Sequence, residues 1–364
     1  MSSARSLLLY CRAGFEKDCA QEIATIAAGD GVYGHTIAVE QQAWVQFVPN
    51  TPNHLAKLKL RLDELIFARQ LLYASEHLKG LPKGDRVTPL LAHARELSPR
   101  GYSEIWCETA DTNEAKELSS LARAITGPLA RALRAEKLLP TEGEVDPRLP
   151  RLHILFTATD AAIVACARPG QCSDWPMGIV RLKMPRGAPS RSTLKLHEAF
   201  MTLLTEKEHR SALQPGMKAV DLGAAPGGWT WQLVQRHMQV TAIDNGRMDA
   251  ELMESGQVKH RREDGYHYAP PKTVDWVVCD MVAAPARIAT LMADWIGNNH
   301  ARHALFNLKL PMKKRLEELQ RCQDIIADKL DGHDHVLRMK HLYHDREEVT
   351  AYLRLEQSPP SRRR

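Results

Sequence analysis

No C-x-x-C pair occurs among the seven cysteines, which stand at 11, 19, 107, 166, 172, 279 and 322. An odd, scattered set argues against a disulfide framework or a zinc site and for a reducing compartment; no metal is expected. No apolar run approaches the roughly 18 residues of a membrane helix. The stretch MSSARSLLLYCRAG has too short an apolar segment for a secretion signal, so a cytoplasmic protein with no membrane partner is expected. There is no internal repeat and no long low-complexity tract; only the end, 358–364 with its SRRR, reads as a disordered tail. Charge of one sign is scarce as well. The net charge of +5 is modest for a nucleic-acid binder, although its sign is right and 16 histidines can add to it locally. What remains is an ordinary globular composition, 44% hydrophobic and 26% charged, in 364 residues, long enough for two or three domains.

The organising stretch is Lys218–Thr230, KAVDLGAAPGGWT. Val220 to Leu222 read as a buried strand, the glycines as a tight turn, and Trp229 to His237 as the opening of a helix. A strand, a Gly-rich turn and a helix bring backbone N–H groups close to a nucleotide-like ligand. Gly223 and Gly228 have the outer spacing of a dinucleotide fingerprint, but Ala225 replaces its middle glycine and Pro226 stiffens the loop. No lysine follows as in a P-loop, which argues against a triphosphate.

Before this stretch the pattern is α+β. A strand at Leu7–Cys11, a helix at Phe15–Ala28, strands at Thr36–Val39 and Ala43–Val48, and a helical stretch at Asn53–Leu60 predict a ferredoxin-like region over 1–80. A second unit, 81–168, is expected to hold a strand at Arg86–Leu91 and a short helix after it. A strand at Ser103–Thr109 and a long helix at Thr112–Leu139, kinked or divided at Gly127-Pro128, follow, then strands at Leu152–Phe156 and Ala162–Ala167. The polar face of the long helix shows Lys116, Arg123, Arg131, Arg134 and Lys137. It is either a solvated surface or a track for an RNA backbone. Residues 169–190, rich in Pro, Gly and Arg, read as a linker. Its basic residues Arg181, Lys183 and Arg186, with Arg168 just before it and Trp175 among them, either touch nucleic acid or belong to a segment docked on its neighbours.

From 191 to 357 strands and helices alternate, which implies a parallel sheet covered by helices; the last two strands, with no helix between them, form an antiparallel edge hairpin. Ligands in such sheets lie beyond the carboxyl ends of the strands. Those ends carry Asp244, at the place of a ribose-binding carboxylate, then Asp264, suited to an adenine amine, then Asp280 and Lys309. Lys195 precedes the first strand of this half, and Glu347-Glu348 open the last. Buried charges persist when paired or functional. Cys279, beside Asp280 in an apolar strand, points away from such a site by the period of two and reads as a core residue. The sequence CDMVAAP lacks the D/N-P-P-Y/F of base N-methylation.

The blocks SRSTLKL, DLGAAPGGWT, VVCDM, NLKLP and REEVTAYL resemble those of FtsJ-type RNA ribose 2′-O-methyltransferases, which carry a Lys-Asp-Lys-Glu tetrad. With a ferredoxin-like region and a THUMP domain in front, the whole chain is similar to the branch of that family that methylates a cytidine of bacterial 23S rRNA. The resemblance implies a Rossmann-like α/β methyltransferase domain with a seven-stranded mixed sheet, preceded by the α+β ferredoxin-like/THUMP region. It implies S-adenosyl-L-methionine as cofactor, held by Ser192, Gly223, Ala225, Pro226, Gly227, Gly228, Asp244, Asp264 and Asp280. Lys195, Asp280, Lys309 and Glu348 become the catalytic set, with Glu347 adjacent to the last. Lys309 is then the base for the 2′-hydroxyl, its pKa expected to be lowered by the charge of Lys195 and by desolvation. Asp280 would orient Lys309, and Glu348 would hold Lys195. The rival expectation is a catalytically silent RNA-binding protein of the same fold, against which two buried lysines speak.

Overall fold

The computed structural model describes residues 4–356, which fall into two compact units divided between Ile179 and Val180. The first opens with β1 (Ser6–Tyr10), α1 (Glu16–Gly29), β2 (Gly34–Ala38), β3 (Trp44–Pro49) and, after a 3₁₀ turn at Pro52–Lys57, β4 (Gln70–Leu78). It continues with α2 (Val87–Leu97), β5 (Ile105–Thr109), α3 (Ser119–Ala135), β6 (Arg151–Ala158) and β7 (Ala161–Ala167). The strand order β2-β3-β1-β4 is that of a ferredoxin-like sheet. The same sheet runs on through β7, β6 and β5 because β4 pairs antiparallel with β7.

Three expected elements come out differently. The helix expected at Asn53–Leu60 is only the 3₁₀ turn: from Leu58 the chain is extended, and Leu58 and Leu60 are both buried, an alternation that an extended segment presents to one side. The strand expected at Arg86–Leu91 is helical. Leu90, Ala94 and Leu97 bury one helical stripe, and Asp85 accepts the Thr88 N–H at 3.0 Å to cap its start. The long helix is α3 with a 3₁₀ turn at Ala115–Leu118 before it, and Pro128 sits inside α3 without dividing it. Ala122, Leu129 and Leu133 are buried on both sides of the proline, and their shared face holds the two halves in line. Part of the expected linker is docked on the first unit: Ser173 N–H donates to Gln70 Oε1 at 2.9 Å and Arg151 Nη1 donates to the Ser173 carbonyl at 2.9 Å.

The second unit holds α4 (Thr193–Leu203), α5 (Glu206–Ala212), β8 (Lys218–Leu222), α6 (Gly228–Val234), β9 (Gln239–Ile243), α7 (Ala250–Glu254) and β10 (Val258–Arg261). Then come β11 (Val274–Cys279), α8 (Pro285–Gly297), β12 (Ala301–Lys309), α9 (Arg315–Lys329), β13 (His335–Lys340) and β14 (Glu348–Leu355). Its seven strands are ordered β10-β9-β8-β11-β12-β14-β13, parallel except for β14, which is antiparallel to both β12 and β13. This is a Rossmann-like mixed sheet. The inner strands are buried on both faces, which is why VVC and ALF read as unbroken apolar runs. The order reverses between β8 and β11, so the ligand crevice of such a sheet opens where Leu222 and Cys279 end, at Gly223 and Asp280.

The short α5 is absent from the sequence pattern but is anchored by charge. Thr205 and Glu208 form a reciprocal cap, and Glu208 also takes Arg338 at 2.7 Å and Arg354 at 2.8 Å from the edge hairpin. Burial alone would raise the Glu208 pKa, but the bonds from Arg338, Thr205 and Arg354 outweigh it and hold the carboxyl at about 2, below its ordinary 4.5. A depressed carboxyl pKa adds stability above the unfolded value and loses it as pH falls through the folded one. Glu208→Gln is therefore expected to lower stability at neutral pH by about 2–4 kcal/mol. The gap to wild type should close between pH 4.5 and about 2, as read by urea unfolding across pH.

Among the described residues no helix is long and apolar enough to cross a membrane, and no group of three or more His, Cys, Asp or Glu is placed to hold a metal ion.

Candidate active site

Strand register builds the centre of the site. The antiparallel pairing of β12 with β14 sets Asn307 opposite Thr350 and Lys309 opposite Glu348. Residues two apart share a face, so these four side chains lie together, while Leu308 and Val349 between them are wholly buried on the other face. Asp280 follows directly on β11, beside β12. Lys195 comes from the first turn of α4.

These side chains close a ring. Lys309 Nζ donates to Asp280 Oδ1 at 2.6 Å and to Glu348 Oε2. Lys195 Nζ donates to Glu348 Oε1 and lies 3.8 Å from Asp280 Oδ2. Two ammonium groups thus alternate with two carboxylates, and their charges cancel. That arrangement lets four largely buried charges persist: Glu348 has 7% of its side chain exposed, Lys195 17% and Asp280 19%, while Lys309, at 26%, is the most open. Glu347 is outside the ring and pairs with Arg315 at 2.8 Å.

The ring overturns the expected direction of the Lys309 pKa. Burial pulls it down, but Asp280 and Glu348, both bonded to Nζ, together outweigh burial, and the pKa is raised above the ordinary lysine value. Lys195, expected to repel Lys309, is instead held by Glu348 between them. Cys279 is fully buried, and burial pushes its thiol up to about 12, so it is no nucleophile.

Asn307 lies outside the set expected from sequence. It is fully buried; its Nδ2 donates to Asp280 Oδ1 at 2.9 Å, and its Oδ1 accepts from the Thr350 hydroxyl at 2.8 Å. The signal for it is an amide inside the apolar run ALFNL, since a buried amide is retained only where its bonds are met.

The Gly-rich turn lies next to this ring. Gly223, with φ 77°, packs against Met281: a Cβ there would fall 2.7 Å from Met281 Cγ. Gly227, with φ 121°, leads into Gly228, which is overlaid by the hydroxyls of Ser192 and Ser190, themselves 2.7 Å apart. The Ala225–Pro226 peptide is cis. Asp244 ties the turn to the end of β9: Oδ2 accepts the Ala225 N–H at 3.0 Å and Oδ1 accepts the Gly246 N–H at 2.6 Å. Asp264 is not drawn into the cluster. Half exposed, it accepts from the Tyr266 N–H at 2.9 Å and meets His267 Nδ1 at 2.9 Å within its own loop. Its neighbour Gly265 is the residue that packs inward, with a Cβ position 2.9 Å from Met281 Sδ.

The carboxylates at the strand ends bear on whether S-adenosyl-L-methionine fits here. Asp221, buried in β8, accepts the Thr230 hydroxyl at 2.6 Å on Oδ2, and its other oxygen has no hydrogen-bond partner. Burial, with the charges of Asp280 and Asp244 added, lifts its pKa to about 7. Asp244 and Asp280, at the two neighbouring strand ends, thus add to the negative charge beside Asp221. A ligand carrying positive charge relieves that excess, and phosphates would worsen it. A sulfonium and an ammonium suit this set, so the residues fit the cofactor.

Three family profiles match the chain: the N-terminal domain of ribosomal RNA large subunit methyltransferase M over 85–168, the RlmM ferredoxin-like domain over 4–72, and the FtsJ-like methyltransferase over 188–349. The chain is 52% identical to a protein of Methylococcus capsulatus over 98% of its own length and 99% of the relative's. It is 48% identical to one of Thauera aminoaromatica, covering 96% of each chain, and 47% identical to one of Cellvibrio japonicus, covering 96% and 99%. All three relatives are named ribosomal RNA large subunit methyltransferase M.

Proposed function

The chain belongs to the family of ribosomal RNA large subunit methyltransferase M, with an FtsJ-like methyltransferase domain, and from that premise we propose that it methylates the ribose 2′-hydroxyl of a cytidine in 23S rRNA. The observation that carries this reading is the closed Lys-Asp-Lys-Glu ring beside a Gly-rich turn at the point where strand order reverses. Ser192, Gly223, Ala225, Pro226, Gly227, Gly228, Asp244, Asp264 and Asp280 would hold S-adenosyl-L-methionine, which would supply a methyl group on an electron-poor sulfur.

Lys309 serves as the base. Two of the three protons on its Nζ are directed at Asp280 and Glu348. Loss of the third leaves a lone pair that neither carboxylate uses and that can take the hydroxyl proton. Asp280 fixes the amine, and Glu348 spaces Lys195 from it, so that Lys195 adds positive charge next to the developing alkoxide. A positioned base contributes about 10²–10⁴-fold, and alignment of the reacting atoms supplies much of the rest.

The RNA partner is assigned to the region ahead of the catalytic unit: a ferredoxin-like part over 1–80, a THUMP part over 81–168 and a linker over 169–190. Arg123 and Arg131 are exposed on α3 and suit phosphate contacts, so binding should weaken as salt rises. The test is transfer of tritiated methyl from S-adenosyl-L-methionine to 23S rRNA from cells lacking this chain, followed by mapping of ribose methylation. One modified cytidine is expected. Binding of the rRNA without transfer would leave the silent RNA-binding protein as the reading.

A further inference from the structure

The ring of charges continues into a buried polar chain that methyl transfer, as described above, does not use. We propose that Asp345, Thr350 and Asn307 form a one-way hydrogen-bond relay that positions Asp280. In it Asp345 donates its carboxyl proton to Thr350, Thr350 donates to the Asn307 carbonyl oxygen, and the Asn307 amide donates to Asp280. The relay rests on the ribose-methylation reading for its kinetic test, though not for its geometry.

Donor counting fixes the direction. Asp280 Oδ1 lies 2.9 Å from Asn307 Nδ2 and 2.6 Å from Lys309 Nζ, so this oxygen accepts twice. The amide nitrogen must face it, because an amide oxygen there would confront a carboxylate oxygen with no proton between them. Asn307 Oδ1 then points to Thr350 Oγ1 at 2.8 Å and can only accept, which uses the single hydroxyl proton of Thr350. Thr350 Oγ1 also lies 3.0 Å from Asp345 Oδ2 and 3.2 Å from Oδ1. With its proton already committed, the hydroxyl meets Asp345 as an acceptor, and the remaining proton comes from the carboxyl group.

The surroundings of Asp345 agree with a neutral acid. It is 1% exposed, its Oδ2 accepts the Leu342 N–H at 3.1 Å, and Glu348 and Glu198 stand near it with Lys195 as the opposing charge. Burial first, then the two glutamates, raise its proton affinity well above that of an ordinary aspartate. Asn307 and Thr350 are both fully buried, so water does not compete for these bonds. The relay ends on the oxygen that holds Lys309, and it leaves the Asp280 carboxylate one fixed orientation. Asp345 and Thr350 are thus positioning residues, acting through Asn307.

Single-turnover kinetics and infrared spectra test the relay. Thr350→Val keeps the shape of the side chain and removes the hydroxyl. It should lower kcat by on the order of 10²-fold, the scale of a small misplacement of reacting groups, with KM for S-adenosyl-L-methionine unchanged. Thr350→Ser should restore the rate. Asp345→Asn, whose amide donates to Thr350 while its oxygen still accepts from Leu342, should turn over close to wild type. Asp345→Asn falling as far as Thr350→Val while melting like wild type would overturn the relay, and so would wild-type turnover in Thr350→Val. If Thr350→Val does not fold, Thr350→Ala takes its place, with the same two outcomes. A protonated-carboxyl C=O band at neutral pH that wild type shows and Asp345→Asn loses, beside any band from Asp221, supports the relay; a protonated-carboxyl spectrum that Asp345→Asn leaves unchanged overturns it. That difference needs no substrate. A protein whose Asp345 band is present while rRNA stays unmethylated refutes the activity and not the relay.

Discussion

Lys309→Met is expected to slow the methyl-transfer step by about 10³–10⁴-fold, near the upper end of what a positioned base contributes. Methionine keeps the length and apolar stem of lysine, so the packing of β12 is preserved while Nζ is lost. The ring then holds two carboxylates against one ammonium, but Lys195 still bonds Glu348 and stays 3.8 Å from Asp280. The loss of stability should stay at about 1–3 kcal/mol, the scale for carboxylates left short of a donor at a partly open site. Among the residues assigned to the cofactor, Nζ touches Asp280, which keeps its bond from Asn307 Nδ2 at 2.9 Å, so cofactor affinity should hold. A drop in kcat with KM unchanged is the mark of a group acting in the transition state alone. Single-turnover transfer of labelled methyl, paired with calorimetric titration of the cofactor, checks both halves. Wild-type turnover in this variant would remove Lys309 as the base.

How much of the site is legible before folding depends on which contacts decide it. The ends of β8, β9, β11 and β12 can be read from apolar runs closed by a polar residue, and Asp244, Asp280 and Lys309 follow from that alone. The pairing of β12 with β14 is not local. It decides that Glu348, rather than Glu347, faces Lys309, and that Asn307 meets Thr350. The same contact reverses the sign of the Lys309 pKa: the neighbours can be named from sequence, but whether an ammonium or a carboxylate touches Nζ is set by strand register. Asp264 shows the converse, for a carboxylate at a suitable strand end is satisfied by its own loop. In the first unit, the pairing of β4 with β7 joins segments far apart in the chain, and no periodicity within either reveals it. Arg86–Leu91 reads as a strand only while the stripe of Leu90, Ala94 and Leu97 is cut short at Leu91.

The chemical step is expected to accelerate with pH by about tenfold per unit between about pH 7 and about pH 9, close to 100-fold in all, with no plateau in that range. Only the free amine of Lys309 accepts a proton, and Asp280 and Glu348 hold the group as ammonium by raising its pKa above the ordinary lysine value. Below that pKa the fraction of free amine grows tenfold with each unit of pH, so the rate must climb. A base with a depressed pKa would give a flat profile over the same range. The sign is checked by Glu348→Gln, which removes one of the two stabilising charges and so moves the pKa down. Its profile should bend towards a plateau at lower pH than wild type, while its maximal rate suffers because Lys195 loses the carboxylate that anchors it. Single-turnover rates at saturating cofactor and rRNA isolate the chemical step from binding. A wild-type rate that is flat from about pH 7 to about pH 9 would overturn the raised pKa as the property that governs the base.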